Sequence, residues 1–263
     1  MEQVIFNGKT AEHPVLITDE DSLRSLRFGT EERQSCLDLD APHILQLAYT
    51  QWMTTALFLH PQPSRFLVVG LGGAALPHFL LHHFPACELT IVEKQRLVID
   101  LAHGYFRLPL KPEQIRLCHQ DALHFGRNEP PGDYHTAFLD IYGAGAMAPA
   151  LFDPLFYRLL LEQLEGQGTL AINLWSGNRR LFQQALEAIH EASDGQMLSM
   201  QVKKRSNAIV LAFPGQIPHK AIKRARKQST GLQQAYGIDY PLFFKRLRRT
   251  NRIPILSTLF AHA

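Results

Sequence analysis

Cysteine is scarce in this 263-residue chain: Cys36, Cys87 and Cys118 are an odd number, widely spaced and without a CxxC or CxxC…H pattern. A disulfide framework is thereby excluded and a zinc site of motif type disfavoured. Long apolar runs are missing too. The most apolar segment, 66–81, is broken by Gly70, Gly72, Gly73, Pro77 and His78, so no stretch of about 18 apolar residues is available to span a membrane. The opening MEQVIFNGKT lacks the basic-then-apolar form of a secretory signal, and the expected location is the cytoplasm. Charged residues make up only 19% against 46% hydrophobic, which excludes disorder and provides for a substantial core. Acids are scarce in one place above all. Between His219 and Arg252, Asp239 stands alone against ten Lys or Arg, a local charge of +9 that leaves −6 for the remainder of a chain whose net charge is +3.

What is present divides the chain into a β-rich lead-in with a bridging helix (1–60), an α/β domain (61–215) and a basic helical tail (216–263). The lead-in predicts strands at 4–6, 14–20, 23–28 and 34–39, and helical spacing of apolar residues follows over 43–59, stopped by Pro61 and Pro63. Apolar runs at 66–70, 88–93, 115–118, 136–140 and 169–174 then alternate with amphipathic stretches, as in a parallel sheet buried on both faces. The last two runs, MLSMQV and AIVLAF, are joined by the short polar KKRSN and must form a hairpin. The fold class is therefore α/β, a doubly wound, mostly parallel sheet ending in an antiparallel hairpin, with a small N-terminal β-rich subdomain.

Chemistry is expected at the carboxyl ends of these strands. FLVVGLGGAA places Gly70, Gly72 and Gly73 between a buried strand and a helix, where backbone N–H groups can approach a ligand. Glu93 closes the second strand about twenty residues later, the place of a carboxylate that accepts both ribose hydroxyls of an adenosine. Gly70-x-Gly72-x-x-Ala75 also fits a relaxed dinucleotide fingerprint, so NAD stays an alternative. Asp121 in HQDA, where a carboxylate followed by a small residue (Ala122) suits an adenine amino group, and the terminal hairpin favour a sulfonium nucleoside. Asp140 ends the fourth strand and should face the same crevice. His78 and His82 sit four apart on one helix, but no third ligand stands at motif spacing, and no metal is expected.

Taken in order, Gln34, the helix carrying Tyr49, VVGLGGAALPHFLL, IVEKQRLVIDLAHGYFRLP, HQDA, FLDIYGAG and LFDPLFYRLLLEQLEGQGTLAINLW resemble the spermidine synthase (polyamine aminopropyltransferase) family over roughly residues 3–213. The resemblance implies a methyltransferase-like Rossmann fold and a homodimer. It assigns the nucleoside to Gly70, Gly72 and Glu93, with Gln34, Asp121 and Ala122 contributing, and makes Asp140 the group that deprotonates or orients an amine; Gly73 is expected to offer the ligand an N–H. Tyr49 and Tyr142 are expected to wall the substrate pocket. Against the family's GGGDGG, the loop acid is Gly73 here. Its DSTDP becomes Asp140-Ile141-Tyr142-Gly143-Ala144, losing a second acid, and Thr50 replaces the histidine after the tyrosine. The expected ligand is S-adenosylmethionine or its decarboxylated form, and the expected reaction is methyl or aminopropyl transfer to an amine. A second class of function is binding of nucleic acid, or of an acidic partner, by the basic tail, which carries Tyr236, Tyr240, Phe243 and Phe244 among its charges.

Overall fold

A computed structural model of the chain describes residues 2–10, 12–143 and 146–251, apart from the side chains of residues 142, 143 and 146. Four strands, β1 (Gln3–Lys9), β2 (Pro14–Glu20), β3 (Leu23–Phe28) and β4 (Ser35–Asp38), form an antiparallel meander in that order. The larger sheet is built from β5 (Arg65–Val69), β6 (Glu88–Glu93), β7 (Ile115–His119) and β8 (Tyr134–Leu139). After a two-residue ladder of β9 (Tyr142–Gly143) with β10 (Ala146–Met147), it is completed by β11 (Leu164–Trp175), β12 (Met197–Gln201) and β13 (Asn207–Ala212). Its order is β12-β13-β11-β8-β5-β6-β7. The five strands from β11 to β7 are parallel, while β13 and β12 complete the sheet as the antiparallel hairpin.

Alternation along β5 shows how the sheet is buried. Phe66 and Val68 join one apolar cluster, Leu67 and Val69 the other, so each face carries its own core. The chain runs outward from β5 to β6 and β7, then returns to the other side of β5 as β8. That reversal opens a crevice between the ends of β5 and β8, the usual ligand position in such sheets.

The helix expected over 43–59 is much shorter. α1 covers Ala48–Met53 and continues as a 3-10 turn, Thr54–Phe58. Leu47 at its start offers no side-chain cap, and the hydroxyls of Thr50 and Thr54 bond the carbonyls three residues back (2.7 and 2.6 Å), competing with regular helix. The sheet's helices are α2 (Ala75–His83), α3 (Arg96–Gly104), α4 (Ala122–Asn128), α5 (Pro154–Glu162) and α6 (Arg179–Ala192).

The tail forms α7 (His219–Tyr236), ended by Gly237 in the left-handed conformation, and α8 (Tyr240–Asn251). Neither is a detached arm. Tyr240, Phe243, Phe244 and Leu247 of α8 are buried, with the Phe243 ring 4.3 Å from Trp52 and the Tyr240 hydroxyl 2.8 Å from that of Thr54. Trp52 is thus a core residue. Residues 252–263 of the expected tail lie outside the described residues.

Candidate active site

Five structural choices converge on a cavity of about 570 Å3 at the carboxyl ends of the strands, lined by Gln34, Tyr49, Gly70, Gly72, Glu93, Asp121, Ala122 and Asp140 among others. The glycine loop follows β5. Gly70 has φ +95°, and a side chain there would run into the backbone carbonyl of Asp140, so this glycine lets the ends of β5 and β8 touch. Asp140 N–H donates to Val69 O (2.9 Å) and Gly70 N–H to Val92 O (2.9 Å), which fixes the floor of the crevice.

Gly73 answers a different need. A Cβ at this position would lie 2.8 Å from both the Phe106 ring and Ser35 Oγ, so the space a side chain would need is already filled. Ser35 is buried at the start of β4. The lead-in sheet therefore closes over the loop and makes one wall of the cavity.

Glu93 is 8% exposed at the end of β6. One carboxylate oxygen accepts Leu71 N–H (3.0 Å), from the glycine loop, and the other accepts Gln95 N–H (2.8 Å). Burial raises its pKa, and those amide hydrogen bonds oppose the rise. Each oxygen keeps a lone pair for a hydroxyl. Asp121 is exposed at the rim and is also the N-cap of α4, with Oδ1 accepting Leu123 N–H (2.8 Å). Its Oδ2 is left for an external donor. Ala122, beside it, lines the same end of the cavity.

Asp140 is held from two sides. Tyr49, buried on α1, sits with its hydroxyl 2.9 Å from Asp140 Oδ2 and 2.9 Å from the Gln34 carbonyl. On the other side Asn173 Nδ2 donates to Asp140 Oδ1 (2.9 Å), and Asn207 Nδ2 donates to Asn173 Oδ1 (3.0 Å). Desolvation by burial pushes the Asp140 carboxyl above the usual carboxylate range, and the Asn173 and Tyr49 hydrogen bonds pull the other way. A carboxylate of raised basicity facing a cavity can take a proton from an ammonium. The side chain of Tyr142, the other expected pocket wall, lies outside the described residues.

Sequence reasoning passed over Asn173 and Asn207. Within β11, Asn173 stands as a polar residue in an apolar run, a signal that was available, whereas Asn207 reads as the end of the polar turn. Sequence reasoning also missed Glu12 and Lys94, which line the cavity together with Asp153, a residue that the sequence marks, with Pro154 after it, as a helix N-cap and nothing more. Asp153 caps α5 through Oδ1 to Leu155 N–H (2.9 Å), and Glu12 pairs with Lys94 (2.7 Å) across the mouth, both exposed. No sequence pattern announces that last contact, since it joins the β1–β2 turn to the β6–α3 turn.

His78 Nε2 is engaged with Phe106 O (2.7 Å), and His82 stacks on His43 (3.7 Å between centroids), so the i,i+4 pair is otherwise occupied. Among the described residues, ligand atoms of His60, His135 and Glu165 come within 4.8 Å of one another. In both rings, however, Nδ1 accepts a backbone N–H, from Gln62 (3.2 Å) and Ser64 (3.0 Å). The neutral rings then carry their proton on Nε2, which faces Glu165 at 2.9 and 3.8 Å. His60 Nε2 is thus placed to donate to Glu165, with His135 Nε2 facing the same carboxylate, the reverse of metal ligation, where the far nitrogen donates.

No protein-family model matches the chain. The polyamine aminopropyltransferase of Neisseria meningitidis is 27% identical over 240 residues, covering 89% of each chain. A probable spermidine synthase from Corynebacterium glutamicum superposes with a TM-score of 0.69 at 15% identity, covering 80% of each chain. Human methyltransferase-like protein 13, solved with SAH, superposes with a TM-score of 0.56 at 20% identity over 82% of this chain and 94% of that one. Across most of its length the chain is similar in sequence to the polyamine aminopropyltransferases, and its fold is the methyltransferase-like one that the solved spermidine synthases share.

Proposed function

We propose that the chain is a transferase that binds S-adenosylmethionine or its decarboxylated form in this cavity and moves an alkyl group from sulfur to an amine. The observation that carries the reading is the meeting of Glu93, the glycine loop and Asp140 in one cavity, with the Tyr49 hydroxyl bonded to the Asp140 carboxylate. Glu93 accepts the ribose hydroxyls while its amide partners hold the loop. Asp121 Oδ2 accepts the adenine amino group at the rim, beside Ala122, and Gln34 lies along the ligand.

In-line attack needs the amine unprotonated. Asp140 takes its proton, the nitrogen lone pair forms the new N–C bond, and the S–C bond breaks to leave a neutral thioether. Alignment in a closed pocket supplies about 7–11 kcal/mol of such a barrier, and the base a further factor of about 10²–10⁴.

Of the other acids of the lining, Glu12 pairs with Lys94 at the mouth, and Asp121 and Asp153 each give one oxygen to a helix cap. Asp140 serves the reacting nitrogen, and with no acid at Gly73 or Gly143 an acceptor with a single ammonium near the sulfur is favoured over a diamine. With no acid at Gly73, the carboxylate of S-adenosylmethionine itself meets no repulsion there. Calorimetry with S-adenosylmethionine, its decarboxylated form and methylthioadenosine is the test. All three are expected to bind, S-adenosylmethionine at least as tightly as the decarboxylated form. Failure of all three at millimolar concentration overturns the reading, and a strong preference for the decarboxylated form makes aminopropyl transfer the reaction. Because Gly73 has no room for a side chain, the wild-type comparison is cleaner than a Gly73→Asp variant.

A further inference from the structure

One edge of the molecule carries charge of a single sign. From Met197 to Asn251 there are twelve Lys or Arg and one acid, Asp239. The basic residues come from three places: the β12–β13 turn (Lys203, Lys204, Arg205), α7 and α8. α8 packs against β12 and α7 against α8. At the end of α8, Asn251 bonds both the N–H and the C=O of Ser199 (2.9 Å each), occupying the free edge of β12. β12 runs on from Ser199 to Gln201 and straight into the basic turn, so the last turn of α8, which carries Arg248 and Arg249, ends within about 13 Å of chain from Lys203.

None of these twelve cations enters an ion pair among the described residues. Every Asp and Glu of the chain is a described residue, so no acid remains elsewhere to neutralise them. Arg224 is turned inward to the Phe58 and Leu59 carbonyls, while nine of the twelve are exposed. The edge also reaches the crevice. Asn207 directly follows the turn and leads through Asn173 to Asp140.

We propose that this edge binds the phosphate backbone of a nucleic-acid duplex, independently of base sequence. An acidic protein partner would need apolar or aromatic anchors at the centre of its contact. Among the described residues, the exposed large apolar side chains, Val4, Ile44, Leu110 and Leu155, all lie outside this segment. The described aromatic residues of the tail serve the core instead: Tyr240, Phe243 and Phe244 are buried, and Tyr236 packs among Phe58, Phe79 and His83. The same absence removes the stacking platform that single strands use. Charge without anchors or stacking rings fits regularly spaced phosphates.

The test uses the full chain and mixed-sequence 20-bp duplexes, one of DNA and one of RNA, with polyglutamate of matched charge as the competing polyanion. Binding of at least one duplex is expected at 50 mM salt, weakening about a thousandfold by 200 mM, as for some six phosphate contacts. The variant Lys203→Gln, Lys204→Gln, Arg205→Gln, Arg248→Gln, Arg249→Gln changes only exposed side chains, and its melting curve should match the wild type. Its log K against log salt slope should flatten by about one per charge removed. Which duplex binds identifies the source of the phosphates. No binding of either at 50 mM salt, a slope unchanged in the variant, or polyglutamate binding as tightly as a duplex overturns the proposal. Calorimetry with the sulfonium nucleoside on the same variant reads the transferase site separately.

Discussion

As the proposed base, Asp140 faces a demand that most buried carboxylates do not: it must be stable with and without a proton. Tyr49 supplies the means, because its single O–H stands 2.9 Å from two acceptors. With Asp140 ionised the hydroxyl donates to the carboxylate. With Asp140 protonated, the new carboxyl O–H donates to the Tyr49 oxygen and the tyrosine turns to the Gln34 carbonyl. Neither state leaves a buried group without a partner. Asp140→Asn copies the protonated pattern, since its amide can donate to Tyr49 and its oxygen can accept from Asn173. We expect it to melt no lower than the wild type and to bind the nucleoside within about threefold, with turnover down about 10²–10⁴. Turnover within tenfold of wild type would remove Asp140 from the base role. Asn173→Ala takes away a donor that lowers the Asp140 pKa, so that pKa should climb further. The working form is the carboxylate, and the acid limb of the pH–rate profile, or the carbon NMR titration of the labelled carboxyl, should therefore move to higher pH. Asn207→Ala, one link further away, should shift it less.

At the scale of elements, Glu93 joins the glycine loop to the β6–α3 turn, apart from its proposed role toward a ligand. Glu93→Gln sets an amide N–H against a backbone N–H, of Leu71 or Gln95, that had an acceptor. A buried donor left unpaired costs about 1–3 kcal/mol, and a lost bond to a charged group about as much again in affinity. The variant should lower both the melting temperature and nucleoside affinity, and loss of affinity alone would mean that the loop does not depend on Glu93. Much of this was legible in the sequence. Strand ends rich in Val, Ile and Leu, followed by GLGG, Glu93, Asp121 and Asp140, place the crevice without any structure, because period and punctuation are local signals. The helix over 43–59 was misread for a local reason as well, the threonine hydroxyls that compete for its carbonyls. Contacts between distant turns left no such trace. Phe106 and Ser35 filling the space beside Gly73, or Tyr49 meeting Asp140 across 91 residues, depend on the packing of the lead-in sheet over the loop.

For the molecule as a whole, the tail docks through a ring cluster that contains a titratable member. Tyr236 of α7 lies 4.8 Å from His83, 5.2 Å from Phe58 and 6.0 Å from Phe79. His83 also meets His82 and His43 at 4.8 and 6.0 Å. Burial first, then the neighbouring His82 and His43, lowers its pKa from 6.5 to about 4. A histidine whose folded pKa is depressed favours the folded state while neutral. Its contribution is full above about 6.5, the unfolded value, and is lost as pH falls towards the folded value. The half-buried ring is partly screened by solvent, so the loss is graded and occurs within the window from 6.5 to 4. Acid should therefore loosen α7 from α2, the element that carries His83, before it unfolds the parallel sheet. Hydrogen exchange at pH 7.5 and 5 reads this directly, with α7 amides expected to lose protection earlier than those of β5 and β8. In His83→Phe, which keeps the ring and removes the charge, the difference between α7 and the sheet over this pH range should shrink. Equal loss of protection in α7 and the central strands, or an unchanged difference in the variant, would show that the ring cluster does not control docking of the tail.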